Sequence, residues 1–272
     1  MAQVELPQIS PQANAGFGDT NRNDNWWVAP MITAVVLGAF VVYGTFRAFY
    51  NAEYEVRNDT HAYLLSPFYS PLLIFDWLPS WISPAFLILW APGGFRLTCY
   101  YYRKAYYRAF FADPPACAVG EPGSFCGLPR GTKYKGETRL LLFQNLHRFF
   151  LYLALVFLVI LALDFILSCI WPSSSGGKEL GLSVGSLVLL ANVTLLSLYT
   201  FSCHSFRHLV GGRLNSFSKS STGKVRYRLW SWASRLNGNH ALYAWCSLFM
   251  VGFADLYVWL VASETIKDPR IL

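Results

Sequence analysis

Long runs without one charged residue alternate along the chain with short basic clusters. Nothing between Asp24 and Arg47 is charged, and WWVAPMITAVVLGAFVVYGTF fits a bilayer core, which takes about 20 apolar residues of helix. Trp26 and Trp27 stand where an interfacial aromatic belt belongs. The same pattern predicts spans at about 26–46, 82–102, 149–171, 180–206 and 240–263. The second is the least regular, because Pro92-Gly93-Gly94 interrupts it and Arg96 follows at once. Upstream of it, THAYLLSPFYSPLLIFDWLPSW is apolar but cut by Pro67, Pro71 and Pro79, which reads as a re-entrant or interfacial segment. The predicted fold class is all-α: an integral membrane bundle of five transmembrane helices with this Pro-broken segment before helix two. No internal repeat is visible, and low complexity is confined to PSSSGG.

Composition supports that class. The 272 residues are 54% hydrophobic and 14% charged, against about 25% charged in a soluble domain, which leaves too little polar surface for a water-soluble globule. The net charge of +7 points to an anionic membrane surface rather than to nucleic acid. It is also unevenly placed. Arg103, Lys104, Arg108, Arg130, Lys133, Lys135 and Arg139 follow span two, and Arg207, Arg213, Lys219, Lys224, Arg226, Arg228 and Arg235 follow span four. By the positive-inside rule, residues 1–25 and the loops 103–148 and 207–239 are cytoplasmic, and the 266–272 tail lies outside. Residues 1–24 lack the charged, apolar and small-residue succession of a signal peptide, so the first apolar run is expected to stay as an anchor.

On this topology the ligand-type side chains collect at one level. His147 opens span three; Cys203, His204 and His208 close span four in FSCHSFRH; His240 opens span five. Cys99 lies near the inner end of span two, and Cys117 and Cys126 lie in the first basic loop, whereas His61 and Cys169 fall on the outer side. Histidines at i and i+4, as 204 and 208 are, share a helix face about 6 Å apart along the axis. Three kinds of metal centre suit such a gathering: a b haem between facing imidazoles, a tetrahedral zinc, or a Rieske-type [2Fe–2S] cluster with two cysteines and two histidines. The candidate ligands are Cys117, Cys203, His147, His204, His208 and His240, with Cys99 and Cys126 in reserve. Interfacial histidines bonded to headgroups, and a plain loop with free thiols around Cys117, are the alternatives. Asp164 and Asp255 lie deep in spans three and five. An ionised carboxylate at a helix centre costs about 2.5–3.5 kcal/mol, so the pair reads either as a proton path or as a hydrogen-bonded clamp, with Asn192 as candidate partner.

The runs LTCYYYRKAYYRAFF, ETRLLLFQNLHRFFLYLALVFLVI, LSLYTFSCHSFRHLVGGRL and NGNHALYAWCSLFMVGFADLYVWLVAS resemble the membrane-anchor, cytochrome b-like, SdhC-type subunit of an unusual bacterial succinate dehydrogenase, respiratory complex II, over roughly residues 26–265. The resemblance implies a flavoprotein partner, an iron–sulfur partner on the cytoplasmic side, room for a further small membrane subunit, a place in the bacterial plasma membrane, and quinone, expected to be menaquinone, as electron acceptor. Five-helix anchors of the familiar kind carry two b haems, one in each membrane half. Here the outer half offers no histidine besides His61, so a distal haem is not expected, and the surplus of thiols favours an iron–sulfur centre over one proximal haem. Quinone would then meet Arg96 and Trp90 at an inner site, and His61, Asp76 and Trp77 at an outer one. A small transporter and an anchor without any redox group are the competing readings.

Overall fold

In a computed structural model, the structure describes residues 16–57, 61–77, 79, 82–112, 114–121, 138–173, 177–212, 216–218 and 220–272. Cys126, Arg130, Lys133, Lys135, Arg213 and Lys219 lie outside the described residues.

Among the described residues, four helices are long and apolar enough to cross a membrane: α1 (Val28–Tyr50), the Asn145–Ser168 stretch of α5 (Thr138–Ser168), α6 (Val184–Phe201) and α9 (His240–Ala262). Three further helices occupy the expected second span: α2 (Pro84–Ile88), α3 (Trp90–Thr98) and α4 (Tyr100–Phe111). The single helix expected over 82–102 is thus corrected to three pieces, and the cause is local. Ser83 caps α2 through its hydroxyl and Pro84 opens it. Pro92 has no N–H for the ladder, so the helix is interrupted at Leu89 and resumes with Pro92 in its first turn, where that N–H is not needed. Cys99 then takes an extended conformation (φ −62°, ψ 129°) and ends α3.

The expected basic loops are also largely helical. Besides α4 and the first turns of α5, they contain α7 (His204–Gly211) and α8 (Ser221–Asn237), the latter capped by Ser220 accepting from Gly223 N. The all-α expectation needs a small correction as well. Two antiparallel ribbons are present, β1 (Glu55–Val56) with β2 (Leu64–Leu65), and β3 (Ile170–Pro172) with β4 (Lys178–Leu180).

The chain divides into two compact units, Met1–Ala39 with Tyr102–Glu137, and Phe40–Tyr101 with Thr138–Leu272. In the first, residues 16–22 lie along 117–120, with Gly18 N donating to Gly120 O, Gly120 N to Asp19 O, and Arg22 Nη1 to Cys117 O.

In the second unit, α5 packs on α3 and α6, and α6 packs on α9. Gly94 permits the first contact, since a Cβ there would meet the Phe150 ring at 2.3 Å. Along α5 the exposed Phe149, Tyr152, Val156, Val159, Leu163 and Ile166 recur at spacings of three and four, an apolar stripe of the kind that faces lipid. Residues 61–77 are not helical, yet Ala62 and Leu64–Ser70 are buried. Their polar groups are satisfied within the protein: Ser66 N donates to Tyr54 O, Phe68 N to Ser66 Oγ, and Tyr69 OH to Arg47 O. At the start of α6, Ser183 and Ser186 form a capping box, and Asp268 Oδ1 accepts from Gly185 N and from Tyr257 OH, each at 2.8 Å.

Candidate functional site

Helices converging in the second unit enclose a cavity of about 480 Å³. The break between α3 and α4 brings Thr98 and Cys99, the third turn of α5 brings His147 and Arg148, and the turn from α6 into α7 brings Cys203, His204 and His208. His240 enters as the first residue of α9. Sequence reasoning placed these groups at one level, and they share this cavity. Cys117 belongs to the first unit.

Two imidazoles are held alike. Thr98 Oγ1 donates its one hydrogen to Gly94 O, so it accepts from His147 Nδ1 at 2.9 Å. The lone pair of His147 then sits on Nε2, which faces Cys203 Sγ at 3.0 Å. Ser202 Oγ donates to Tyr199 O and accepts from His240 Nδ1 at 2.7 Å, leaving the His240 Nε2 lone pair 3.5 Å from Cys99 Sγ. Each Nδ1–H is thus fixed by a hydroxyl, and each Nε2 addresses a sulfur, the arrangement in which an outer hydrogen bond orients an imidazole as a ligand. Burial pushes the Cys203 thiol up to about 12, so the free thiol keeps its proton and donates toward His147. His204 and His208 form a separate pair, their Nε2 atoms 3.0 Å apart. Burial, then the nearby charges of His208, Arg207 and Arg148, hold His204 below its usual value. Among the described residues the donors stand as pairs, and no three His, Cys, Asp or Glu side chains form a ready metal cluster.

Aromatic rings back both imidazoles. Phe95 stacks on His147 (centroids 4.5 Å apart, planes at 3°), Tyr199 stacks on His240 (5.1 Å, 17°), and the two aromatic rings meet edge to face at 5.5 Å. Their other sides, with Arg96 and Thr200, form the wall of a second, mostly apolar cavity of about 300 Å³ that reaches Gly44 of α1 and Leu161 of α5. Arg96 is held by Ala244 O (3.3 Å) and Ser247 Oγ (3.1 Å), with its guanidinium 4.9 Å from the Tyr199 ring centroid. Trp90 is exposed, bonds to Leu87 O and does not line this cavity.

At the opposite end, His61 opens with Arg57, Tyr63 and Leu167 onto a cavity of about 310 Å³. Asp76 and Trp77 are exposed and are not part of it. Asp255 is fully buried and paired with Arg47 rather than with Asn192: Arg47 Nε lies 2.8 Å from its Oδ2, and Tyr43 OH and Ser66 Oγ also donate to it. Asp164 accepts from Ser70. Among the described residues, no hydrogen bond links either acid to Asn192, whose Oδ1 is buried without a partner there. Sequence reasoning missed Arg47, Thr98, Ser202, Phe95 and Tyr199. The runs Thr98-Cys99 and Ser202-Cys203-His204, each a hydroxyl beside a sulfur at a helix break, are the signal that was available.

These features define a multi-pass helical membrane protein with an imidazole- and thiol-lined chamber at one end of its bundle. Residues 28–264 match the family described as actinobacterial succinate dehydrogenase subunit SdhC, and the chain belongs to that family. It is therefore a membrane subunit of succinate dehydrogenase. Among solved structures it is similar to a chain of the Mycobacterium smegmatis Sdh1 complex in the apo form, at 41% identity over 97% of this chain and 98% of that one, with a TM-score of 0.80. No curated protein matches the chain.

Proposed function

We propose that this subunit passes electrons from the soluble iron–sulfur partner of succinate dehydrogenase to membrane quinone, through the Cys/His chamber. It docks the flavoprotein and iron–sulfur subunits on the face that carries the basic loops. That face is cytoplasmic, the N-terminus is inside and the C-terminus outside; α2 and α3 complete a fifth crossing in pieces, and residues 61–83 are re-entrant. Buried protein contacts on that non-helical segment support this, since a bilayer core tolerates such backbone only inside protein.

One observation carries the redox reading: two Nδ1-anchored imidazoles each aim Nε2 at a cysteine sulfur in one chamber. The donor set His147, His240, Cys99 and Cys203 has the composition of a Rieske-type [2Fe–2S] site. A b haem would fit less well, because both Nε2 atoms are directed at cysteine sulfurs, which such a group would not use. When bound, such a cluster supplies a one-electron relay. Phe95 and Tyr199 form the partition between it and the apolar cavity, where quinone is taken up. Arg96, fixed by Ala244 and Ser247, sets positive charge on that cavity's wall and stabilises the negative charge that grows on a quinone oxygen as it is reduced. Electron paramagnetic resonance of the purified complex tests the reading. His240→Ala and Cys203→Ser should each abolish a rhombic reduced-state signal while His208→Ala keeps it; a signal intact in the first two places the centre elsewhere.

An outer quinone site is favoured by His61, whose Nδ1 is buried with no hydrogen-bond partner among the described residues. His61→Ala should then alter quinone kinetics in the assembled complex while Asp76→Asn does not. For Asp164 and Asp255, the donors around them favour a clamp over a proton path.

A further inference from the structure

Adjoining the Cys/His chamber, and sharing Arg148, Ser205 and His208 with it, lies another cavity of about 370 Å³. Arg148 and Tyr152, one turn apart on α5, form one side; His208 and Leu209 of α7 form another; Arg226 reaches in from α8. No acidic side chain is among the described residues that line it.

The two arginines are in different situations. Arg226 gives Nε to Val210 O (2.7 Å) and Nη2 to Gly212 O (2.5 Å), which locks its guanidinium against the C-terminal carbonyls of α7. Arg148 is exposed and makes no hydrogen bond or ion pair among the described residues. It stands three residues inside the apolar stretch that begins at Asn145, at the depth where a spanning helix passes the headgroups. Below it, exposed Tyr152 and Leu209 continue the cavity wall as apolar surface. A cationic rim over an apolar flank matches a phosphate with acyl chains attached, and a soluble anion would leave that flank unused.

We propose that this cavity binds the phosphate of an anionic phospholipid, with Arg148 as its principal cation and Arg226 as a fixed second one.

The assembled succinate dehydrogenase complex, reconstituted in phosphatidylcholine, is titrated with spin-labelled phosphatidylglycerol and, separately, with spin-labelled phosphatidylcholine. The wild type should prefer the anionic label. Arg148→Gln should lower that preference about fivefold, the loss expected for one cation near the surface. Leu209→Asp, which puts a negative charge in the cavity, should lower it at least as much. Arg148→Lys should retain most of it, and Arg228→Gln, on an exposed part of α8 away from the cavity, should leave it unchanged. Equal preference in the wild type, Arg148→Gln and Leu209→Asp would overturn the assignment, as would an equal drop in Arg228→Gln. Millimolar inorganic phosphate, compared with chloride at matched ionic strength, separates the two sources of the group. Displacement of the label by phosphate would make free phosphate the occupant and reject the lipid.

Discussion

Arg47 and Asp255 are both fully buried, and their attraction alone would not offset the loss of hydration of two ions. What makes the pair tenable is that almost every valence is used. The carboxylate accepts from Arg47, Tyr43 and Ser66, and the guanidinium also reaches Ala52 O and Glu53 O and lies 4.8 Å from the Trp259 ring. Removing one ion should be worse than removing both. Arg47→Met should cost about 3–5 kcal/mol, because the buried carboxylate keeps two hydroxyl donors but loses its countercharge, while Arg47→Met with Asp255→Leu should regain much of that. Thermal midpoints of the detergent-purified complex measure both. At the chamber, Cys99→Ser and Cys246→Ser form a matched comparison. The first should remove the paramagnetic signal and the second should not, since Cys246 does not line the cavity.

For whole elements, the sequence was informative where a single period governed it. Where spans were expected over 180–206 and 240–263, α6 runs Val184–Phe201 and α9 His240–Ala262, because long charge-free runs force helix in lipid. The second span was legible only as a warning, since Pro92 and the glycines mark an interruption without saying where the helix restarts. Pairings across the chain were not legible. Cys99 meets His240 from 141 positions away and Arg47 meets Asp255 from 208, distances over which no local pattern speaks, so Cys99 ranked as a reserve and Asn192 as the partner of the acids. Gly94 belongs to the same class: its spacing suggested a kink, and its use is the close approach of α3 to α5. Gly94→Ala should destabilise the bundle by about 1–3 kcal/mol through overpacking against Phe150, and by moving Phe95 off His147 it should broaden the paramagnetic signal. A thermal midpoint and a spectrum from one preparation check both parts.

At the scale of the whole molecule, the proposed orientation makes a plain forecast. A reporter inserted after Lys219 should read as cytoplasmic and one fused at the C-terminus as external, and a reversed pair of readings would also remove the docking face assigned to the soluble subunits. The buried, non-helical stretch around Ser66 has a consequence in time rather than in space. An ordinary spanning helix satisfies its own backbone and can settle in the bilayer as soon as it is made. Residues 61–70 cannot, because Ser66 needs Asp255 of α9 and Ser70 needs Asp164 of α5, both synthesised much later. Until the last helix arrives, this part of the nascent chain must wait at the water boundary or in the hands of the insertion machinery. A chain halted before His240 should therefore stay open to protease between residues 61 and 70, and completion of α9 should close it.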